Sequence, residues 1–334
     1  MKYFIIQIIT LFAIFNFSEQ VFQQNDLIQE NDKQNQHNQQ KKVLLLGLDG
    51  LDYRQLSNGI TNGELIGLSQ FTYQKSYCGG EIGTPTEQPV KSGPSWMTIL
   101  TGNWMNQHHV STNLSGPTQE TKSIYRYIKQ ANPGSNLAIV SHWSVIENKL
   151  LRNDRQDIDI IQQILSDEND NNIYEKWLRT LKNGIPDFTF FHFNDIDHSA
   201  HLQGFGETVN TKIINADKVI QKIMLKIKEL ISQNQNLDFL VMLVSDHGRD
   251  KYGWTHGNTI KQYYSEKLTW IGTNQPQIFN DEFFLPSTAP IQKLNSIYNF
   301  PPITNIVPTI LNYLEIDYKK ENINGISMIG DIGQ

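Results

Sequence analysis

Val241-Met242-Leu243-Val244-Ser245-Asp246-His247-Gly248 decides how this chain folds. An unbroken apolar run of this length reads as a strand buried on both faces, and it ends in a carboxylate and an imidazole side by side. In open α/β sheets ligands collect outside the carboxyl ends of the strands, so Asp246 and His247 stand where chemistry is expected. Read alone, the same residues also fit a turn with one capping Asp and one exposed His. The rest of the chain bears on the choice. His256 follows nearby in Gly253-Trp254-Thr255-His256-Gly257-Asn258, and Val43-Leu44-Leu45-Leu46-Gly47-Leu48 repeats the pattern, an apolar run ending in Asp49-Gly50. Two such strands argue for a parallel sheet with one shared functional edge.

Composition narrows the class. At 334 residues with 38% apolar residues the chain can bury one large core or two modest ones. A net charge of -6 with no basic cluster excludes a nucleic-acid duplex as partner, because neutralising phosphates needs grouped Lys and Arg. The single cysteine, Cys78, rules out an intrachain disulfide.

Along the chain, the apolar stretch Phe4 to Ile14 is short for a membrane span and fits the core of a secretory signal peptide over residues 1–18; an uncleaved membrane anchor is the alternative. Residues 19–40, dominated by Gln, Asn and Asp, read as a disordered linker. The folded domain is expected over 41–334. Its elements alternate: strands at 43–48, 137–140, 188–193, 241–244 and 268–272, and helices following Ser92, at 123–130, 158–165, 173–181 and 211–231, and from Pro308 to Leu314. That order predicts an α/β domain with a mostly parallel central sheet and helices on both faces. Pro94 suits a first helical turn and Gly102 a helix end, which places Ser92 at a helix N-terminus, where a plain capping role and a role in binding an anion are compatible.

Collected, the strand ends supply Asp49, Asp197, His201, Asp246, His247 and His256, with Ser92 at a helix start. Mixed carboxylates and imidazoles suit zinc, and six such groups suffice for two divalent ions with open positions. The spacing of Asp197 and His201 puts both on one side of a helical turn.

These residues resemble the alkaline phosphatase superfamily and, within it, the type I phosphodiesterase/nucleotide pyrophosphatase branch. The resemblance runs through Leu48-Asp49-Gly50, Lys91-Ser92-Gly93-Pro94-Ser95-Trp96, Asp195-Ile196-Asp197-His198-Ser199-Ala200-His201, Ser245-Asp246-His247-Gly248 and His256-Gly257. It implies an alkaline-phosphatase-like fold and two zinc ions, one held by Asp197, His201 and His256, the other by Asp49, Asp246, His247 and the Ser92 oxygen. It implies Ser92 as nucleophile of a phosphoseryl mechanism, with Asn113 and backbone N–H groups at the start of the Ser92 helix on the phosphoryl oxygens. The protein expected is a secreted or endomembrane-lumen hydrolase of small phosphoesters, touching a membrane only if its N-terminal segment stays uncleaved. Serine stands where many relatives of this branch carry threonine, and His109 where glycine is usual; neither change removes a ligand.

Three other functions stay open at this point. A phosphomonoesterase needs a further cation for its doubly charged group, and Lys91 and Arg249 are the residues near the motifs that could supply it. A sulfatase is suggested by Ser92-Gly93-Pro94-Ser95, although Trp96 stands where its motif wants Arg. A non-catalytic secreted binding protein would keep the fold alone, yet every expected ligand is present. A single-charge diester needs no extra cation, which favours a phosphodiester or pyrophosphate bond as substrate.

Overall fold

Strand β1, Gln40–Leu48, lies at the middle of the molecule because its side chains are apolar on both faces and can be covered by helices on either side. The computed structural model describes residues 39–257, 264–285 and 294–330. The signal peptide, nearly all of the linker, and the segment just after Gly257 lie outside the described residues. β1 is followed by β2 (Thr72–Tyr77), β3 (Leu137–Ser141), β4 (Ile160–Gln163), β5 (Phe188–Phe193), β6 (Leu237–Val244) and β7 (Leu268–Thr273). They form one seven-stranded sheet in the order β2-β7-β6-β1-β5-β3-β4. β6, β1, β5, β3 and β4 are parallel neighbours, and β7 pairs antiparallel with both β6 and β2. The sheet is therefore mostly parallel, as expected.

The longer helices are α1 (Tyr53–Thr61), α2 (Ser92–Thr101), α3 (Ile124–Ala131), α4 (Ile173–Thr180), α5 (Asp195–Gln203), α6 (Glu207–Gln233) and α7 (Ile306–Tyr313). They divide between the two faces. Val43, Leu45, Phe190, Met242 and Val244 point to one core with Trp96, Ile124, Val307 and Ile310 from α2, α3 and α7. Leu44, Leu46, Phe191, Val241 and Leu243 point to the other with Leu56, Trp177, Ile196, Val219 and Ile223 from α1, α4, α5 and α6. The alternation along β1 is the period-two rule of a strand, and here both faces are dry.

One expectation fails. The stretch 158–165, expected as a helix, contains β4, a four-residue strand parallel to β3 at the sheet edge. Its isoleucines at 160, 161 and 164 imitate a helical spacing, but the segment is too short for a helix of that kind and β-branched residues favour an extended backbone. β2 was invisible in the pattern: Thr72-Tyr73-Gln74-Lys75-Ser76-Tyr77 is half-exposed over most of its length, as an edge strand should be. Other boundaries move outward: α6 begins at Glu207, β6 at Leu237, and Pro308 lies within the first turn of α7.

Candidate active site

The adjacent parallel strands β5, β1 and β6 end side by side, and each hands an acidic residue to the same rim. Asp49 directly follows β1, Asp246 stands two residues past β6, and Asp197 lies in the first turn of α5, which β5 feeds. β1 is flanked by β5 on one side and β6 on the other, and open α/β sheets bind ligands outside the carboxyl ends of such strands. α2 brings Ser92 to the same place. Lys91 is its extended N-cap residue and makes no side-chain cap bond, so Ser92 is the first helical residue and its hydroxyl is not spent on capping.

The side chains form two clusters. In the first, His201 Nε2 lies 3.0 Å from His256 Nε2 and 3.3 Å from Asp197 Oδ2, and His256 Nε2 lies 3.7 Å from Asp197 Oδ1. In the second, Ser92 Oγ is 3.5 Å from both Asp49 Oδ1 and His247 Nε2, His247 Nε2 is 3.5 Å from Asp49 Oδ1, and it is 3.3 Å from Asp246 Oδ2. Ligand atoms about 2.1 Å from a tetrahedral zinc stand about 3.4 Å from one another. Both clusters match that spacing. Asp246 Oδ2 is buried and has no hydrogen-bond partner among the described residues. A buried carboxylate oxygen without a donor needs a proton or a cation.

Each carboxylate has one oxygen held and one presented. Asp49 Oδ2 accepts from Trp96 Nε1 at 2.9 Å and is 3.1 Å from His192 Nε2. Asp246 Oδ1 accepts from the Gly50 N–H at 3.1 Å. Asp197 Oδ1 meets Arg249. The imidazoles follow the same rule: Nδ1–H of His247 donates to the Gly248 carbonyl at 3.0 Å and Nδ1–H of His256 to the Val90 carbonyl at 2.9 Å. Both leave Nε2 turned inward as an acceptor, the arrangement by which surrounding groups orient metal ligands.

The electrostatics agree. Burial, and then the charges of Asp49 and Asp197, push the Asp246 carboxyl well above the usual range. Burial holds His247 and His256 below theirs, so both rings are neutral donors of a lone pair. Burial alone would raise Asp197, but hydrogen bonding to His201 and the charge of Arg249 carry it low. His201, half-exposed, is raised by its bond to Asp197. Three carboxylates in a buried space with one guanidinium are a cation-seeking arrangement.

Asn113 Oδ1 accepts from the Gly93 N–H at 2.8 Å, which leaves its amide N–H donors unengaged by that bond. A Cβ at Gly93 would lie 2.8 Å from the Thr112 carbonyl oxygen, so only glycine lets the two segments meet. This corrects one expectation. The Gly93 N–H is consumed by Asn113 and Pro94 has none, so the start of α2 offers fewer backbone donors than its position implied.

All eight residues singled out from the sequence meet at this rim. Reasoning from sequence missed Trp96 as a donor, His192, and the inward direction of Arg249. The signals were present: His192 is the penultimate residue of β5, and Arg249 directly follows the Asp246-His247-Gly248 turn. A third group, His142, Asp170 and Asp195, also has ligand atoms close together. Its atoms are already paired. His142 Nδ1 is 2.7 Å from Asp170 Oδ1, Asp170 accepts from the Asn194 and Asp195 N–H groups, and Lys212 is 3.1 Å from Asp195. It is a clamp on the start of α5.

Comparison with known proteins fits this site. The family described as type I phosphodiesterase/nucleotide pyrophosphatase matches residues 133–279, under half of the chain, including Asp197, His201, Asp246, His247 and His256 but not Asp49, Ser92 or Asn113. The chain thus resembles the alkaline phosphatase superfamily in its fold and in the order of these residues. The matched family is described as acting on phosphodiester and pyrophosphate bonds, and the two clusters here are candidate metal sites. Solved structures share its fold. A lipoteichoic acid synthase, LtaP, from Listeria monocytogenes is 12% identical, with a TM-score of 0.54 over 87% of this chain and 76% of its own. A 2-O GAG sulfatase is 12% identical, with a TM-score of 0.54 over 86% of this chain and 73% of its own. The C-terminal periplasmic domain of EptC from Escherichia coli, in complex with Zn, is 11% identical, with a TM-score of 0.52 over 88% of each chain. No curated protein sequence matches the chain. Among the described residues no helix is long and apolar enough to cross a membrane.

Proposed function

We propose that this protein is a secreted phosphodiesterase of the nucleotide pyrophosphatase type within the alkaline phosphatase superfamily, using Ser92 as nucleophile and two divalent metal ions, zinc in both positions. The observation that carries the reading is the cage of Ser92 Oγ, Asp49 Oδ1, His247 Nε2 and the unpartnered Asp246 Oδ2, with its separations near 3.4 Å. Asp49, Asp246, His247 and Ser92 would hold one ion, and Asp197, His201 and His256 the other. Bound there, the ions supply Lewis-acid stabilisation of charge on the reacting oxygens and lower the pKa of a hydroxyl.

The chain's own groups do the rest. Ser92, fixed on a helix whose ten residues are all buried, attacks phosphorus in line. The Ser92 Oγ–P bond forms as the bond to the leaving ester oxygen breaks, and that oxygen departs with a proton as an alcohol. Water then cleaves the phosphoseryl ester and restores the hydroxyl. The amide N–H groups of Asn113 stabilise charge on a non-bridging oxygen.

A diester is favoured over a monoester by the position of Arg249. Its guanidinium is fully buried and bonded to Gly50, Gly253 and Asp197, so it is spent on the protein and not on substrate. Secretion is supported by the apolar stretch Phe4 to Ile14, with a signal peptide over residues 1–18, a linker over 19–40 and one hydrolase domain from about residue 41. The test compares kcat/KM on a nitrophenyl nucleotide ester, nitrophenyl phosphate and nitrophenyl sulfate in one buffer with zinc. The nucleotide ester is expected to lead by at least tenfold; a lead by the phosphate or the sulfate would overturn the diester assignment.

A further inference from the structure

Asp197 is held between two unlike partners. Its Oδ2 faces His201 Nε2 at 3.3 Å, and its Oδ1 is in ion-pair contact with Arg249 Nη2. The remaining donors of the guanidinium are also placed: Nε reaches the Gly50 carbonyl at 3.3 Å, Nη1 the Gly253 carbonyl at 3.0 Å, and Nη2 the Asp197 carbonyl at 3.1 Å. These acceptors come from three segments, and each carries a candidate ligand. Gly50 follows Asp49, Asp197 is itself one, and Gly253 leads to His256. The Arg249 backbone is fixed too, its N–H donating to Asp52 Oδ2 at 3.1 Å and its carbonyl accepting from Arg54 Nη2 at 3.0 Å.

Room for this fork is reserved by one residue. Gly50 has φ +61°, and a Cβ there would lie 2.7 Å from Asp197 Oδ1 and 2.9 Å from Arg249 Nη2. Any side chain would be strained by the backbone and would enter the contact. A planar fork of five N–H donors can serve acceptors in several directions at once, which a single ammonium cannot.

We propose that Arg249 is a positioning residue for metal: it holds Asp197 as a one-oxygen ligand and clamps three segments, so that the set Asp197, His201 and His256 is preset before an ion enters. The proposal rests on the metal-hydrolase reading and deepens it. A positive charge beside a cation site weakens binding by repulsion, so the benefit of Arg249 lies in its geometry. Charge and geometry are separable by substitution. Arg249→Met removes both, and Arg249→Lys keeps the charge while losing the fork.

The experiment loads wild type and both variants with zinc, counts ions per chain, and follows their release to a chromogenic chelator. Wild type is expected to release two ions in two phases. In both variants one phase should become at least tenfold faster while the other is unchanged, and Arg249→Lys should not restore it. Circular dichroism of the metal-free chains identifies a variant that does not fold; if Arg249→Met is lost in this way, the lysine variant carries the test. Variants that release both ions at the wild-type rate, or full rescue by lysine, overturn the proposal while leaving the metal-hydrolase reading intact. A wild-type chain that retains no ion overturns that reading itself, and this proposal with it.

Discussion

The indole N–H of Trp96 donates to Asp49 Oδ2 at 2.9 Å in a fully buried contact, so a residue that packs against Phe190 as core also orients a candidate ligand. Trp96→Phe keeps most of the packing and deletes the donor. Removing such an orienting partner typically costs about 10- to 100-fold in metal affinity. The expected outcome is that loss, confined to the ion beside Ser92, in a chain that still folds. Competition with a chelator measures it, and wild-type affinity would refute the coupling.

Ser92→Ala should abolish turnover, because it removes the attacking oxygen from a site whose other groups remain in place. Residual activity above a tenth of wild type on the best substrate would exclude Ser92 as nucleophile.

His256 stacks on His247 with ring centroids 3.6 Å apart, so each cluster touches the other. His256→Ala should lower bound zinc by one ion per chain, as read by elemental analysis. Chelation of the wild type should lower its thermal midpoint, since an ion that binds only the folded chain stabilises it by mass action. An unchanged midpoint, with metal demonstrably removed, would count against both sites.

Acid sensitivity has a source away from this centre. His108 is fully buried, with Nε2 3.1 Å from Thr98 Oγ1 and Nδ1 accepting from the Val110 N–H at 3.0 Å, and burial followed by the neighbouring His109 charge lowers it to about 3. The unfolded chain protonates this ring near its ordinary value of about 6.5 and the folded chain does not. Its contribution to stability is thus complete above about pH 6.5 and is lost as pH falls toward 3, at up to about 1.4 kcal/mol per pH unit. His108→Gln should flatten the fall in unfolding free energy between pH 6.5 and pH 4, measured by denaturant titration. An equal slope in both proteins would assign acid loss elsewhere.

Much of this centre was legible because strand ends announce themselves. The runs before Asp49 and Asp246 are apolar on both faces, which fixes them as central parallel strands and their ends as the functional rim. Asp197 and His201 were readable from helical spacing. What escaped was anything set by a neighbour distant in sequence. Trp96 and His192 look like ordinary core residues until Asp49 is placed beside them. Arg249 reads as an exposed cation after a turn until the Gly50 and Gly253 carbonyls surround it. The error at β4 is local: a four-residue edge strand is too short for its period to separate it from a helix.

The sheet order also sets when this centre can come into being. β6 is threaded between β1 and β7, and it is the strand that delivers Asp246 and His247 next to Asp49. A nascent chain that has emerged only through α6 holds Asp49, Ser92, Asp197 and His201, yet it completes neither ligand set, since His256 too lies beyond β6. On the proposed metal sites, uptake would then be a late event of biosynthesis, coming after β6 has docked, and ions would lock an already assembled sheet instead of nucleating it.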